Sequence, residues 1–442
     1  MPAAQPDLAL RHELLERLSD ARMRTDDLFG IVRSDSLYER PIPERHRIIF
    51  YIGHLEAFDW NLMRERLFDL QPFDPTLDKL FAFGIDPVGG GLPTDKPSDW
   101  PSLDTVHKYV SRIRETIDAG LPDVLQAGAP RREFSPTQLL NVAIEHRLMH
   151  AETLAYMLHQ LPLDKKNPQR RRPELITAPA TPKMIEIPAG VATLGLARDE
   201  GIFGWDNEFE RHTVDVPTFA IDQYPVTNRE FLNFIHAGGY ENRALWSDAA
   251  WAWKNEHSIT HPVFWKRAGD SWQYRTMFNE IPLPLDWPVY VSHAEANAYA
   301  RWAGKSLPSE AQWHRAAYAT KNGDERAYPW GEDAPGPKRG NFDFHSWDPA
   351  PVAASAAGES AFGVRDLLGN GWEWTSTVFA PFAGFERFSF YPGYSADFFD
   401  GKHFVMKGGS PRTAACMLRR SFRNWFQPHY QYVYAGFRCV SS

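Results

Sequence analysis

The sequence has few cysteines, no excess of positive charge and no long apolar run. Among its 442 residues only Cys416 and Cys439 are cysteines, too few for a disulfide framework. The formal net charge is −8, so a nucleic-acid partner is not expected. No apolar stretch approaches the roughly 20 residues that span a bilayer, and the N-terminus does not look like a signal peptide. We therefore expect a cytoplasmic protein without a membrane partner.

Aromatic residues are the abundant class, at 14% of the chain, and most of the 16 Trp lie in its second half. A chain of this length exceeds one ordinary core, and the uneven distribution of Trp indicates two different domains. Residues 163–183 are polar, basic and rich in Pro, which is typical of a linker. We predict a helical domain over 1–162, this linker, and a second domain over 184–442.

The first domain repeats apolar residues at helical spacing, which predicts an antiparallel four-helix bundle. The predicted helices span residues 7–24, 48–68, 105–119 and 136–161. The connection over 71–101 is rich in Gly, Pro and Asp, and loops of that length are usually functional or disordered.

The second domain has a different pattern. Short β-like runs at 184–188 and 219–222 are separated by turns, and only 292–303 and 309–320 are predicted to be helices. This combination predicts a loop-rich α+β domain.

A histidine pair in the fourth predicted helix indicates a metal site. His146 and His150 are four residues apart, so both side chains leave one face of the helix. Glu152 lies about 200° around from His150 and is not expected to be a ligand. His54 in the second helix is the candidate third ligand, because bundles build metal sites from facing helices. From spacing alone, a chance pair among 16 histidines remains an alternative. Three other histidines are interpreted as surface residues: His46, His107 and His159.

Motifs in both halves of the chain resemble those of one enzyme family. In the first half they are His54 in its helix and the string His146-Arg-Leu-Met-His150-Ala-Glu152. In the second half they are Pro225-Val-Thr-Asn228, Trp302-Ala-Gly-Lys-Ser-Leu-Pro-Ser-Glu-Ala-Gln-Trp313, Leu368-Gly-Asn-Gly-Trp-Glu-Trp374, Lys407-Gly-Gly-Ser410 and Gly436-Phe-Arg-Cys439. Together and in this order they resemble the ergothioneine-type sulfoxide synthases over nearly the whole chain.

The resemblance implies a fold and a chemistry. The fold would be a damage-inducible-type four-helix bundle followed by a C-type-lectin-like domain of the formylglycine-generating-enzyme type. Fe(II) would be bound by His54, His146 and His150, a variant of the facial triad with positions left open. With O2 as co-substrate, a sulfur or selenium atom would be joined to the imidazole carbon of hercynine, the betaine of trimethylated histidine.

The resemblance also implies residues for substrates. Asn424 and Trp425 match the family's betaine-binding pair, and Phe426, followed by Gln427, occupies the position of an acid that holds a donor peptide. Met149 stands where the family often has Gln before the last ligand histidine. The family's oxygenation-assisting tyrosine lies in an interval that contains two candidates here, Tyr391 and Tyr394.

Departures from the family pattern bear on the donor. The loop 86–100 contains no arginine, although arginine is the natural partner of a peptide's carboxylates. With Phe426 at the acid position, the pattern looks closer to the selenoneine synthase branch, which uses a selenosugar. Asp95, Asp99 and Trp100 would suit a sugar, although each is also an ordinary turn or packing residue.

Four alternatives remain open at this point. The first is a sulfoxide synthase that uses cysteine or γ-glutamylcysteine, and the second is a non-catalytic lectin-like binding module. A formylglycine-generating enzyme would need a close pair of cysteines, which Cys416 and Cys439 do not form in sequence. A zinc hydrolase would need a carboxylate base near the ligands, and only Glu56 and Glu145 are near in sequence.

Overall fold

A computed structural model describes residues 8–82, 92–127, 134–168 and 180–441 of the protein. The chain divides into two compact units, Met1–Arg170 and Arg171–Ser442, and each is described by itself. The division falls inside 163–183, which we keep as the proposed linker, and residues 169–179 of that linker lie outside the described residues.

The first unit is built from four long helices and one short helix. They are α1 (Leu8–Ile31), α2 (Ile48–Met63), α3 (Pro75–Leu80), α4 (Leu103–Ala127) and α5 (Pro136–Gln160). Helix α1 packs on α5, and α2 packs on both α4 and α5. A π-helical segment, Arg64–Phe68, extends α2 to the predicted end. The four predicted helices are thereby confirmed, and α3 is an addition inside the predicted loop.

Two of these helices run further than predicted. In α1 the buried residues Thr25, Leu28 and Ile31 continue the apolar spacing past the predicted end at residue 24. In α4 the helix passes Pro122, which lies on the exposed side, while Leu121 and Leu125 remain buried. The loss of one backbone N–H at a solvent-facing position is tolerated there because the apolar face continues to pack.

Helix α5 forms the centre of the first unit. From Leu139 to His159 every residue except Met149 is buried. Similarly, α2 buries every residue from Ile48 to Met63 except Phe58 and Asn61. Since polar and charged residues lie on these buried helices, they must find partners there or raise the free energy of the fold.

The second unit contains short strands in four small sheets. The strands are β1 (Met184–Ile187), β2 (Gly190–Leu194), β3 (His212–Val216), β4 (Phe219–Asp222), β5 (Trp265–Ala268), β6 (Ser271–Arg275), β7 (Glu280–Pro282), β8 (Gly371–Val378), β9 (Phe404–Gly409), β10 (Asn424–Phe426), β11 (Ala435–Gly436) and β12 (Val440–Ser441). The largest sheet has the order β10-β9-β8-β11, and β1-β4-β12 form another. The two predicted β-like runs are β1 and β4.

Four helices accompany these sheets, and the prediction of only two was wrong. They are α6 (Asn228–His236), α7 (Asp248–Glu256), α8 (His293–Trp302) and α9 (Glu310–Tyr318). The sequence signal for α6 was a capping box, in which Thr227 and Glu230 bind each other's backbone N–H. Helix α7 has Lys254 as its one buried residue and so lacks a buried apolar stripe that would give a periodic pattern. Within the described residues, no helix is long and apolar enough to cross a membrane.

Candidate metal centre

Three histidine side chains meet inside the first unit. His54 comes from α2, and His146 and His150 come from successive turns of α5. The Nε2 atom of His150 lies 3.2 Å from Nε2 of His54 and 3.1 Å from Nε2 of His146. All three side chains are buried. Over residues 8–82, 92–127, 134–168 and 180–441, this is the one group of three or more His, Cys, Asp or Glu that could hold a metal ion.

The spacing of these nitrogens fits a bound cation. A metal–nitrogen bond to imidazole is about 2.0–2.1 Å long, so two such bonds at right angles put their nitrogens about 3 Å apart. The observed separations of 3.1 and 3.2 Å therefore suit neighbouring ligands of one cation, with His150 next to each of the other two. Such a set leaves further coordination positions for other molecules.

The histidines are held in the form that binds metals. Burial lowers the pKa of His54 to about 4, and burial together with the neighbouring histidines holds the pKa values of His146 and His150 well below the ordinary value. Nδ1 of His54 is 2.7 Å from the carbonyl oxygen of Phe81 and donates to it, which leaves Nε2 with its lone pair. Gly53 allows this approach, because a Cβ there would lie 2.5 Å from the Phe81 ring. At neutral pH the centre offers neutral imidazoles.

An aromatic ring from α2 lies against each imidazole. Phe58 stacks on His146 with ring centroids 3.4 Å apart and an angle of 11°. Phe50 stacks on His54 at 4.8 Å, and Tyr51 lies 5.9 Å from His150. These contacts restrict the orientation of the ligand rings. Sequence reasoning missed them, although Phe50 and Phe58 each stand four residues from His54 and so share its helical face.

A buried ionic network lies next to the histidines. Arg147 of α5 reaches α2, where its guanidinium is 2.9 Å from the carboxylate of Glu56 and 2.7 Å from that of Asp59. It also donates to the carbonyl oxygen of Leu55 at 3.1 Å. Arg114 of α4 binds Glu56 at 2.7 Å. These arginines lower the pKa of Glu56 and occupy its carboxylate, so Glu56 is not the free base that a zinc hydrolase would need.

The other histidines and the cysteines lie outside this centre. His107 is exposed, and His46 is half-buried with its ring 4.2 Å from that of Phe50. The surface interpretation of His159 was wrong, because this residue is buried on α5, the helix that is covered on nearly all sides. Cys416 is exposed and Cys439 is buried, and both are free thiols.

The predicted sugar-binding residues of the loop are engaged with one another and with arginines. Asp95 forms ion pairs with Arg40 and with Arg47, the latter at 2.9 Å, and accepts from the indole N–H of Trp100 at 2.8 Å. Asp99 accepts from the backbone N–H of Lys96 and so closes a turn. Residues 86–91 of the arginine-free loop 86–100 lie outside the described residues.

The remaining predicted substrate residues belong to the second unit. Strand β10 carries Asn424, Trp425 and Phe426 and pairs antiparallel with β9. The Trp425 ring is half-buried and stacks on Phe379, with centroids 4.2 Å apart and an angle of 7°. Phe426 stacks on Tyr430 at 4.9 Å. Gln427 follows directly and is half-buried.

The two candidate tyrosines differ in burial. Tyr394 is buried and stacks on Trp205 at 3.9 Å, and its ring lies 5.4 Å from that of Trp425. Tyr391 is half-buried and lies 6.5 Å from Trp205. The structure therefore joins the tyrosine segment to Trp425 through an edge-to-face contact of the Tyr394 ring.

Three arginines of the second unit, Arg419, Arg420 and Arg423, are paired with acids. Arg419 forms an ion pair with Glu208, and Arg420 lies 3.3 Å from the carboxylate of Glu325. The guanidinium of Arg423 contacts both carboxylate oxygens of Glu310, at 3.0 and 3.1 Å. Each of these cations already has a carboxylate partner.

Comparison with known proteins finds relatives of both units. Residues 171–442 match the Sulfatase-modifying factor enzyme 1-like domain, and residues 17–154 match the DinB superfamily. The chain is 34% identical to the hercynine oxygenase of Mycolicibacterium thermoresistibile over 97% of this chain and 94% of that protein. These matches, with the described elements, confirm the predicted fold class of a helical bundle followed by a formylglycine-generating-enzyme-type domain.

Other relatives match over smaller shares of their length. Ergothioneine biosynthesis protein 1 of Neurospora crassa is 28% identical over 92% of this chain and 55% of that protein. The chain thus spans about half the length of that relative. The formylglycine-generating enzyme of Mycobacterium tuberculosis is 31% identical over 45% of this chain and 75% of that protein.

The first prediction concerns the three histidines. Changing His54, His146 or His150 to Ala removes one of three ligands, so we expect each variant to lose most of the Fe(II) that the wild-type protein retains after anaerobic loading and desalting. Elemental analysis of the desalted proteins measures this loss. His107→Ala, at an exposed histidine of the same unit, is the control and should keep its iron. Full occupancy in His54→Ala would remove that residue from the site.

The second prediction concerns pH. Since the pKa of His54 is lowered to about 4 and those of His146 and His150 are also lowered, protons compete with metal only far below the ordinary histidine pKa. We expect the affinity for Co(II), followed by absorbance, to be unchanged from about pH 7.5 to about pH 5.5. A ligand histidine with an ordinary pKa near 6.5 would instead be largely protonated at pH 5.5, and each such ligand would lower the affinity for Co(II) about tenfold. A loss of that size would contradict the lowered pKa values.

Proposed function

Because the chain belongs to the ergothioneine-type sulfoxide synthase family, we propose that it joins the selenium of a selenosugar to the imidazole carbon of hercynine. The enzyme is an O2-dependent oxidoreductase, and its family forms carbon–sulfur bonds. The observation that carries the proposal is the cluster of three neutral imidazoles, which fits a redox-active cation with open positions.

The reaction balances with one molecule of O2. The imidazole carbon loses its hydrogen, the selenol loses its proton, and a carbon–selenium bond forms between them, which releases two electrons. Oxidation of that selenium to the selenoxide releases two more. O2 accepts all four electrons, so that one oxygen atom stays on selenium and the other leaves as water with the two hydrogens. Iron(II) held by His54, His146 and His150 would supply the activation of O2 and hold the two substrates together.

The surroundings of the histidines support a donor that has a soft reacting atom and no carboxylate. On the otherwise buried helices α2 and α5, the partly exposed residues nearest the ligands are Phe58, which stacks on His146, and Met149, which precedes His150. A ring face and a thioether suit an apolar, polarisable group better than a carboxylate. Burying a carboxylate without a partner is costly.

The arginines also argue against a peptide donor. Arg40 and Arg47 are bound to Asp95, and the three arginines of the second unit named above are bound to other acids. Binding a peptide's carboxylates through any of these five arginines would require its ion pair to break. A selenol has the further advantage that it is more acidic than a thiol, whose pKa is about 8.5, so it loses its proton without a dedicated base.

We propose that hercynine binds through Asn424 and Trp425. The trimethylammonium group is attracted to aromatic faces, and Trp425 is held in place by its stack on Phe379. Asn424 bears a neutral amide, which can donate to a carboxylate. Tyr391 and Tyr394 remain the candidates for a phenol that gives or takes a proton, and Tyr391 is the more exposed of the two.

The alternative function is that of an ergothioneine-branch enzyme whose donor is cysteine or γ-glutamylcysteine. Its support is the 34% identity to a hercynine oxygenase over nearly the whole chain. The two functions share the metal centre and the hercynine site, and they differ only in the donor.

The third prediction tests the hercynine site. Calorimetry on the Fe(II)-loaded protein without O2 should show hercynine binding far better than histidine, because histidine lacks the trimethylammonium group. Trp425→Leu should weaken hercynine binding by about 0.5–2 kcal/mol, whereas Trp425→Phe should keep most of the affinity. The half-exposed Trp302 offers the control Trp302→Leu. Equal affinity for hercynine and histidine would rule out this site.

The fourth prediction identifies the donor. The Fe(II)-loaded enzyme is incubated in air with hercynine and, in separate reactions, with a selenosugar, a thiosugar, cysteine or γ-glutamylcysteine, and the products are followed by mass spectrometry. We expect the selenosugar to give the highest kcat/KM and γ-glutamylcysteine the lowest, because the five arginines considered above are already paired with carboxylates, and burying a peptide carboxylate without a partner is costly.

A matched pair of variants sharpens this test. Phe426→Asp restores an acid at the position that holds the peptide in the ergothioneine branch and should raise the use of γ-glutamylcysteine. Phe426→Asn has a similar size without the charge and should not. Efficient turnover of γ-glutamylcysteine by the unmodified enzyme would return the chain to the ergothioneine branch.

A further inference from the structure

We propose that Arg147 is a positioning residue that fixes α2 against α5 and thereby sets the spacing of the three imidazole nitrogens. The inference rests on the proposed function in one respect, namely that the three histidines are metal ligands. It concerns a residue that donates to α2 and not to the metal or a substrate.

The contacts of Arg147 run from one ligand-bearing helix to the other. Arg147 directly follows His146 on α5, and its acceptors are the Leu55 carbonyl, Glu56 and Asp59 on α2. All three acceptors lie within five residues after His54. The guanidinium therefore ties the two helices together beside the ligands that they carry.

A metal centre needs such a stiff connection because its tolerance is small. Metal–ligand distances in proteins vary by only about 0.2 Å, so a slide of α2 along α5 would separate His54 from the other two ligands. Arginine suits this task, since its donors form a rigid planar fork and it does not lose its proton in proteins. Lysine would supply the same charge but not the fork.

The charge of Arg147 does not itself help to bind a cation. Arg147 lowers the pKa of all three histidines, which means that its positive charge opposes another positive charge in the cluster. A buried ion pair also adds little net stability compared with apolar packing. The remaining contribution of Arg147 is geometric. The carboxylates of Glu56 and Asp59 neutralise its charge, and they accept hydrogen bonds from its planar guanidinium, which fixes the position of α2 relative to α5.

The experiment measures metal binding, which does not depend on turnover. Co(II) is titrated into metal-free protein well below its unfolding temperature, and the visible absorbance reports both affinity and coordination geometry. We expect Arg147→Lys to lower the affinity by about 10–100-fold, the usual effect of losing a group that orients a ligand, and to change the Co(II) spectrum. Asp59→Asn, which weakens one acceptor, should give a smaller loss in the same direction.

The control is a variant that destabilises the same unit without touching the network. Ile117→Ala in α4 removes a fully buried apolar side chain and should lower the unfolding temperature while it leaves Co(II) affinity unchanged. Wild-type affinity in Arg147→Lys would overturn the inference, as would an equal loss in Ile117→Ala. If Arg147→Lys does not fold, unchanged affinity and spectrum in Asp59→Asn would overturn it. If the unmodified protein binds no Co(II), the proposed function fails with it.

Discussion

The contact between Arg147 and α2 determines much of what surrounds the metal centre. Its guanidinium is 1% exposed, so the charge has almost no water and depends on Glu56 and Asp59. Removal of one partner from such a buried pair costs about 3–5 kcal/mol, because it leaves a charge uncompensated. Since the whole stability of a domain is about 5–15 kcal/mol, α2 and α5 cannot part without losing much of it. The ligands of both helices are held together by the same contact.

Local patterns in the sequence predicted much of this arrangement. The spacing of four residues between His146 and His150 predicts side chains on one face, and in the structure their Nε2 atoms are 3.1 Å apart. The helices were predictable for the same reason, since their apolar residues recur every three or four positions. Where this recurrence continued, as at Leu28 and Ile31, the helix continued too.

Contacts between residues distant in sequence could not be predicted. Arg147 stands in the motif between two histidines, but no local pattern indicates that it pairs with residues about 90 positions earlier. The loop over 71–101 contains no arginine, yet Arg40 and Arg47 from an earlier segment bind its Asp95. The amino-acid composition of a loop does not show which charged side chains from other segments will pair with it. The short helix α7 was missed because Lys254 is its one buried residue, so it has no buried apolar stripe that a periodic pattern could reveal.

Charge balance links the metal centre to the choice of donor. Three neutral imidazoles supply no negative charge, so the charge of a divalent cation bound there would have to be balanced by other groups. Around Glu56 the network holds four carboxylates and three arginines, an excess of one acid: Glu56, Asp59, Asp26 and Asp118 against Arg147, Arg114 and Arg22. At the histidines, however, the neighbouring charges that act are positive, since Arg147 lowers the pKa of all three and Arg45 lowers that of His150, so the network does not balance a cation there. A donor that binds as an anion through its chalcogen would supply negative charge to a cation held by His54, His146 and His150. A selenol meets this requirement more readily than a thiol at neutral pH, because a larger share of it is ionised.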